Sequence, residues 1–382
     1  MVSVIRNARI VTDGKILDGH VIVLKDNVID AVLPAENFVI PEGAEVKDLQ
    51  GNFISAGWID LHCHGAGGFE FIGGTDEAIL TACQIHFDHG TQILYPTISA
   101  TKHETSWQAL EALEKVIDKC PMEIPGVHME GPYLSKAMCG AQDTQYITKP
   151  IREDYLQLMD RFPKLIKRWT YAPEEDENGE FLKELVKRGI TPSMGHTNAD
   201  YQDVMDAFEG GCRLVTHLYS CTSSITRHSG FRHLGVTECA YLLDDMYVET
   251  IADGCHLPAP LMQMIVKCKK NDHICLITDA ISFAGMENTD ALQGGTQSIP
   301  YLIEDGVAKL MDRSAFAGSI ATTDVLLKRT VAAGVEMPNV IRMMTENPAK
   351  AMGLDKKGRI APGYDAQFCV FDKELNYLGN AK

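Results

Sequence analysis

Ile59-Asp60-Leu61-His62-Cys63-His64-Gly65 is the stretch on which the reading of the whole chain turns. In an extended segment alternate side chains share a face, so His62 and His64 project together and Cys63 points away from them, into packing. Neutral imidazole is the commonest transition-metal ligand, and two rings on one face make half a metal site. Two unrelated histidines, in the core or at the surface, fit the same residues equally well. The motif acquires meaning only if distant partners join it.

Outward from this run the texture is regular. Residues 58–62 form an apolar strand candidate, and seven more follow at 92–98, 124–130, 166–171, 190–196, 214–219, 246–252 and 274–279. Helical spacing fills the gaps: Trp107, Leu110, Leu113 and Ile117 recur at three- and four-residue steps, as do Leu182, Leu185 and Val186. Residues 201–210 and 261–270 take the same role. Eight strand–helix units close a (β/α)8 TIM barrel, with chemistry expected where the strands end at its C-terminal face.

Residues 281–314 break the rhythm, with Glu304-Asp305-Gly306 turning a hairpin between 298–303 and 307–311. Helices at 322–333 and 337–352 complete this part. Residues 3–12 and 20–33 read as short strands, with turns at Asp13-Gly14 and Asp26-Asn27, and 357–371 returns to strand and turn. The two ends are therefore expected to pair as a small β-sandwich domain, 1–53 with 353–382, beside a barrel at 54–352.

Composition narrows the function classes. The 382 residues can bury a large core, and a formal charge of −17 argues against nucleic acid or an anionic membrane as the main partner. An anionic small molecule is still compatible, because a local pocket can oppose the global sign. Eleven cysteines without a CxxC pair suit a reducing cytoplasm, and no apolar window reads as a signal peptide or membrane span. No GxxxxGK[ST] phosphate loop is present, which argues against nucleotide-driven chemistry.

The partners for the histidine pair stand at the strand ends. Strand one ends in His62 and His64, and strand three in His128-Met129-Glu130-Gly131-Pro132. Strand five ends in His196 and strand six in His217; strand seven leads to Asp253 and His256, and strand eight stops at Asp279. Singly each is a core histidine, a capping aspartate or a solvated glutamate; together they ring one mouth as N and O ligands of a divalent metal. Asp279 is the candidate catalytic group, a carboxylate that accepts a proton from water and returns it to a leaving amine. An N-cap is its plainer reading.

Six runs carry a resemblance: 57–65, 126–132, Gly195-His196-Thr197, Thr216-His217-Leu218-Tyr219, Ala252-Asp253-Gly254-Cys255-His256 and Thr278-Asp279-Ala280, extended by Phe316-Ala317-Gly318-Ser319 and Asn347-Pro348-Ala349. On these the chain resembles the amidohydrolase superfamily and, within it, the N-acetylglucosamine-6-phosphate deacetylase family. The HxH pair and the terminal aspartate specify the superfamily; HxEGP with ADGxH is more specific to the deacetylases. The resemblance implies metal ligation by Glu130, His196 and His217, and a second ion at His62 and His64 with Glu130 bridging. The cation would be zinc first, with iron, manganese or cobalt as alternatives, one or two per subunit.

It also implies contacts to a phosphorylated amino sugar from Ala141, Gln142, Ser220, Cys221, Asp253, His256, Phe316, Ala317 and Gly318. Phosphate would be met by Arg227 and His256, in a homodimer whose neighbour could supply the arginine. Three positions depart from the family pattern. Gln142 stands where many members have histidine, Ser220-Cys221 where Asn-Ala is usual, and the expected phosphate arginine falls on His228, between Arg227 and Arg232. Thr170-Tyr171-Ala172-Pro173 ends strand four without the lysine of carbamylated relatives, which disfavours cyclic-amide hydrolysis. Deacetylation of a galactosamine 6-phosphate, or a non-catalytic scaffold, are the remaining alternatives.

Overall fold

Strand one, Trp58–Cys63, is buried at all six positions, as expected of a parallel strand covered on both faces. The computed structural model describes residues 2–381 apart from 288, 290–292 and 297–298, and gives 293–296 as backbone. After strand one come Thr91–Ser99, Val127–Glu130, Ile166–Tyr171, Thr191–Met194, Leu214–Val215, Tyr247–Ile251 and Ile274–Ile277. Each pairs in parallel with its sequence neighbour, making one eight-stranded sheet. A parallel bridge between Cys63 and Ala280 brings strand eight back to strand one and nearly closes the barrel. His64 N–H donates to the Ala280 carbonyl at 2.7 Å and Asp279 N–H to the His62 carbonyl at 2.9 Å, so the seam itself carries site residues.

Several strands stop short of their expected ends. Strand five stops at Met194 rather than His196, strand six at Val215 rather than Tyr219, and strand eight at Ile277 rather than Asp279. His196 (φ 47°), His217 (φ 30°) and Asp279 (φ 46°) lie in the left-handed region, which leaves the ladder and turns each side chain towards the barrel axis. Non-glycine residues there are strained, and such strain concentrates at functional sites.

The helices follow the amphipathic spacing. His103–Val116, Glu180–Lys187, Tyr201–Glu209, Ala259–Cys268 and Thr323–Ala332 occupy the expected windows. Tyr201–Glu209 begins in a capping box between Asp200 and Asp203. The expected helix at 337–352 is two, Met337–Met344 and Glu346–Ala351, because Thr345 leaves helical geometry at φ −132° and ψ −79°. The hairpin joins Ile299–Glu304 to Val307–Leu310 and has a third strand, Gln293–Thr296, that the sequence pattern did not suggest. Residue 298 lies outside the described residues.

Both termini join one seven-stranded sheet. Val2–Thr12 pairs with Lys15–Lys25 on one side and with Glu45–Asp48 and Phe53–Ala56 on the other; Phe368–Phe371 then pairs antiparallel to Phe53–Ala56. Ile5, Ile10, Ile22, Leu24, Ile29, Ile54 and Phe368 form its core. Trp58 at the foot of strand one rests on Phe371 and Tyr377, with ring centroids 6.0 and 5.5 Å away, and seats the barrel on this sheet. Among the described residues no helix is long and apolar enough to cross a membrane.

Candidate metal centre and active site

Strand ends deliver four imidazoles and two carboxylates to one buried point. Glu130 Oε1 lies 3.1 Å from His196 Nε2, 3.0 Å from His217 Nε2 and 3.4 Å from His62 Nε2. Asp279 Oδ1 lies 3.4 Å from His62 Nε2 and 3.2 Å from His64 Nε2, and Glu130 Oε2 is 3.4 Å from His64 Nε2. Two groups, His62–Glu130–His217 and His62–His64–Asp279, have all their ligand atoms within 4.8 Å of one another.

The outer ring nitrogens explain how the rings are aimed. His196 Nδ1 donates to the Met138 carbonyl and His217 Nδ1 to the Ser220 carbonyl, both at 3.0 Å; His64 Nδ1 meets Ser99 Oγ at 3.0 Å. A neutral ring that donates from Nδ1 keeps a lone pair on Nε2. For His196 and His217 that lone pair faces a carboxylate oxygen, acceptor against acceptor. A shared cation resolves the conflict, so the donor set fits a divalent metal with N and O ligands.

The electrostatics agree. Burial pushes His62 and His64 towards the neutral form, but Glu130 and Asp279 outweigh it and hold the rings protonated up to about 9 and about 10. Burial pushes the Asp279 carboxyl up, yet the His62 and His64 rings draw it down to about 2. Protons fill the place of positive charge here, and a cation would displace them.

Neighbouring groups hold the carboxylates. Gln142 donates from Nε2 to Glu130 Oε2 at 2.7 Å while its Oε1 accepts from Ala100 N–H at 3.0 Å. Asp60 accepts from Thr278 Oγ1, from Thr278 N–H at 3.2 Å and from His62 N–H at 3.3 Å, tying strand one to the approach of Asp279. Cys63 points away from the cavity, with Sγ 3.0 Å from His86 Nε2 on the first helix, Asp76–Asp88.

A cavity of about 210 Å³ opens over the centre. His64, Glu130, His196, His217 and Asp279 line it, with Ala141, Gln142, Ser220, Cys221, His256, Phe316, Ala317 and Gly318. His62 is fully buried beneath the cavity. Asp253 does not line it: its carboxylate is taken by His256 Nδ1 at 2.8 Å and by the Cys255 and His256 backbone N–H groups, so it aims His256 instead. The His256 ring in turn packs edge-on against Phe316, 4.8 Å between centroids.

Arg227 is elsewhere. It lies on a fully exposed hairpin of Thr226–His228 and Phe231–His233, directly opposite Arg232, and neither arginine reaches the cavity. Sequence reasoning also passed over Ser99, Asp143, Ile251, Ile281 and Ala315, which line the cavity. It passed over Arg168 and Glu249 below as well, although Glu249, the one charge in the largely buried strand Tyr247–Ile251, is itself a signal that a partner faces it.

Comparison with known proteins points the same way. The NagA composite domain matches residues 4–54. A curated N-acetylglucosamine-6-phosphate deacetylase from Haemophilus influenzae is 28% identical over 98% of this chain and 96% of its own length. An N-acetylgalactosamine-6-phosphate deacetylase from a Shewanella species is 26% identical over 97% and 92%. The crystal structure of N-acetylglucosamine-6-phosphate deacetylase from Pasteurella multocida superposes with a TM-score of 0.90 at 29% identity, covering 100% of this chain and 98% of the other. The amidohydrolase family pattern takes in residues 53–382, the whole barrel with every strand-end histidine and acid described above, and the chain belongs to that family.

Proposed function

We propose that the chain hydrolyses the acetamide of N-acetyl-D-glucosamine 6-phosphate to D-glucosamine 6-phosphate and acetate. The observation that carries this is the meeting of Asp279 with His62, His64 and Glu130 under one cavity, in a chain whose full-length relatives act on phosphorylated N-acetylhexosamines. Glu130, His196 and His217 would hold one divalent cation, and His62 and His64 a second. Zinc is the ion proposed, with iron, manganese or cobalt as alternatives. When bound, the cation supplies Lewis acidity and favours ionisation of water at neutral pH.

The chain's own groups do the rest. Asp279 takes a proton from the attacking water as its oxygen bonds to the acetamide carbon. It then gives the proton to the amine nitrogen as the C–N bond breaks. Gln142 keeps Glu130 in place, and the apolar wall of Ala141, Phe316 and Ala317 excludes bulk water from the acyl group. His256, aimed by Asp253, faces the sugar side, and Ser220 and Cys221 complete that wall.

Phosphate recognition calls for an arginine beside His256, and among the described residues none lines the cavity. We assign it to Arg227, brought by the exposed hairpin of a second copy in a homodimer. Cytoplasmic residence is the compartment proposed, in keeping with the cysteine usage. A second reading, deacetylation of N-acetylgalactosamine 6-phosphate, is favoured by the Shewanella relative at nearly the same identity. The test is acetate release from both 6-phosphates and from the free sugars, with and without chelator. Release from none of them, in protein holding a divalent ion, overturns the assignment.

A further inference from the structure

Beneath the cavity floor the barrel interior holds a fully buried ion pair. Arg168 of strand four grips Glu249 of strand seven with two nitrogens, and also donates to Ser193 Oγ (3.1 Å), Thr216 Oγ1 (2.9 Å) and the Leu61 carbonyl (3.1 Å). Both side chains are at 0% exposure. Such a pair contributes little net stability compared with apolar packing, so its presence asks for another reason.

The ring above supplies one. Of the four candidate ligand histidines, His64, His196 and His217 anchor their outer nitrogens on Ser99, Met138 and Ser220. His62 Nδ1 alone has no hydrogen bond, although it is buried. The carboxylate that faces it is Glu249, with Oε2 3.6 Å away, and the same oxygen is 3.4 Å from the His217 backbone N–H.

We propose that Glu249 is a positioning residue for the metal centre: it sets His62 with Nδ1–H turned down and Nε2 free for an ion, while Arg168 keeps the carboxylate in place and charged. Metal-bound histidines normally donate their other nitrogen to such an acceptor, and losing it lowers metal affinity 10–100-fold. The inference rests on the proposed metal reading and adds that the His62–His64 position depends on a group outside the cavity.

Two charge-free variants test it, since removing one partner alone would strand a buried charge. Arg168→Met/Glu249→Leu removes the acceptor, and Arg168→Met/Glu249→Gln keeps an oxygen for Nδ1–H. Zinc content and zinc release to chelator are measured on folded protein, with His62→Ala as reference. The Leu variant should release the ion associated with His62 about 10–100-fold more readily, like His62→Ala, and the Gln variant should recover most of the loss. Added to His62→Ala, the Leu variant should do nothing further to metal release. Equal zinc retention in the Leu and Gln variants, or equal loosening of every bound ion in both, overturns the role of Glu249. If the Leu variant does not fold, the Gln variant alone decides, because zinc release as fast as in His62→Ala overturns the proposal. Wild-type protein that deacetylates while the variants behave in these ways removes only this inference; wild type without bound ion or acetate release removes the function itself.

Discussion

The mouth of the barrel and the terminal sheet are built on opposite principles. In the sheet, apolar side chains such as Ile10, Ile54 and Phe368 are buried, and charges pair at the surface, as Arg6 does with Asp48 at 3.1 Å. At the barrel mouth four histidines and two carboxylates are buried against one another, three of them (His196, His217 and Asp279) on left-handed backbone. The first arrangement serves stability. The second opposes it, because buried charge is expensive unless something binds there. The contrast teaches where to look for function: in the region whose interactions are poor value for folding alone.

The largest effect expected from breaking this contrast is Asp279→Asn. Acetate release should fall about 10²–10⁴-fold, the usual worth of a positioned acid–base group, with bound metal and melting temperature retained. Phe368→Ala, at 1% exposure in the sheet, should do the reverse. It should destabilise by about 3–5 kcal/mol in denaturant titration, yet leave kcat and KM of the folded fraction unchanged.

Arg227→Ala should raise KM for the 6-phosphate about 10-fold or more and leave the unphosphorylated sugar unaffected, the scale of a lost charge-assisted hydrogen bond. Mixing it with Asp279→Asn should restore activity if the arginine acts in the neighbour's cavity, and sedimentation should report a dimer. Equal effects on both sugars would move suspicion to Arg232.

Acid sharpens the comparison further. Burial pushes Glu249 up, but Arg168 and His62 draw it down to about 2 from a normal value of 4.5. Its stabilising contribution is therefore present above about 4.5 and lost as pH falls towards 2, since the unfolded carboxylate binds the proton first. Thermal melts between pH 7 and pH 3 should show a shallower acid decline in Arg168→Met/Glu249→Leu than in wild type. The smallest change belongs to the sheet surface: Arg6→Ala, breaking a pair whose side chains are 47% and 34% exposed, should leave the denaturation midpoint essentially unmoved, because solvent screens such a pair.

Much of this is legible in the amino-acid sequence alone. Eight apolar runs with helical spacing between them foretold the barrel, because period-2 and period-3.6 patterns report burial directly. His62, His64, Glu130, His196, His217 and Asp279 could be listed because all stand at strand ends. Less visible was where each strand stops: the left-handed turns at His196, His217 and Asp279 come from the demands of the centre rather than from local propensity. The break at Thr345 did carry a signal, Pro348, which has no N–H for the Met344 carbonyl four residues earlier and so interrupts a continuous helix there.

The sequence by itself determined the barrel, the pairing of the two ends, and which histidines and acids stand at the strand ends, since all three follow from periodicity and residue type. Only the tertiary structure decided their division of labour. Asp253 aims His256 instead of facing the cavity, Gln142 is held between Ala100 and Glu130, and Arg227 stands on an outward hairpin. Arg168 and Glu249, 81 residues apart, meet beneath His62. Such roles depend on which groups come within hydrogen-bond reach across the barrel, a distance that spacing along one strand does not encode.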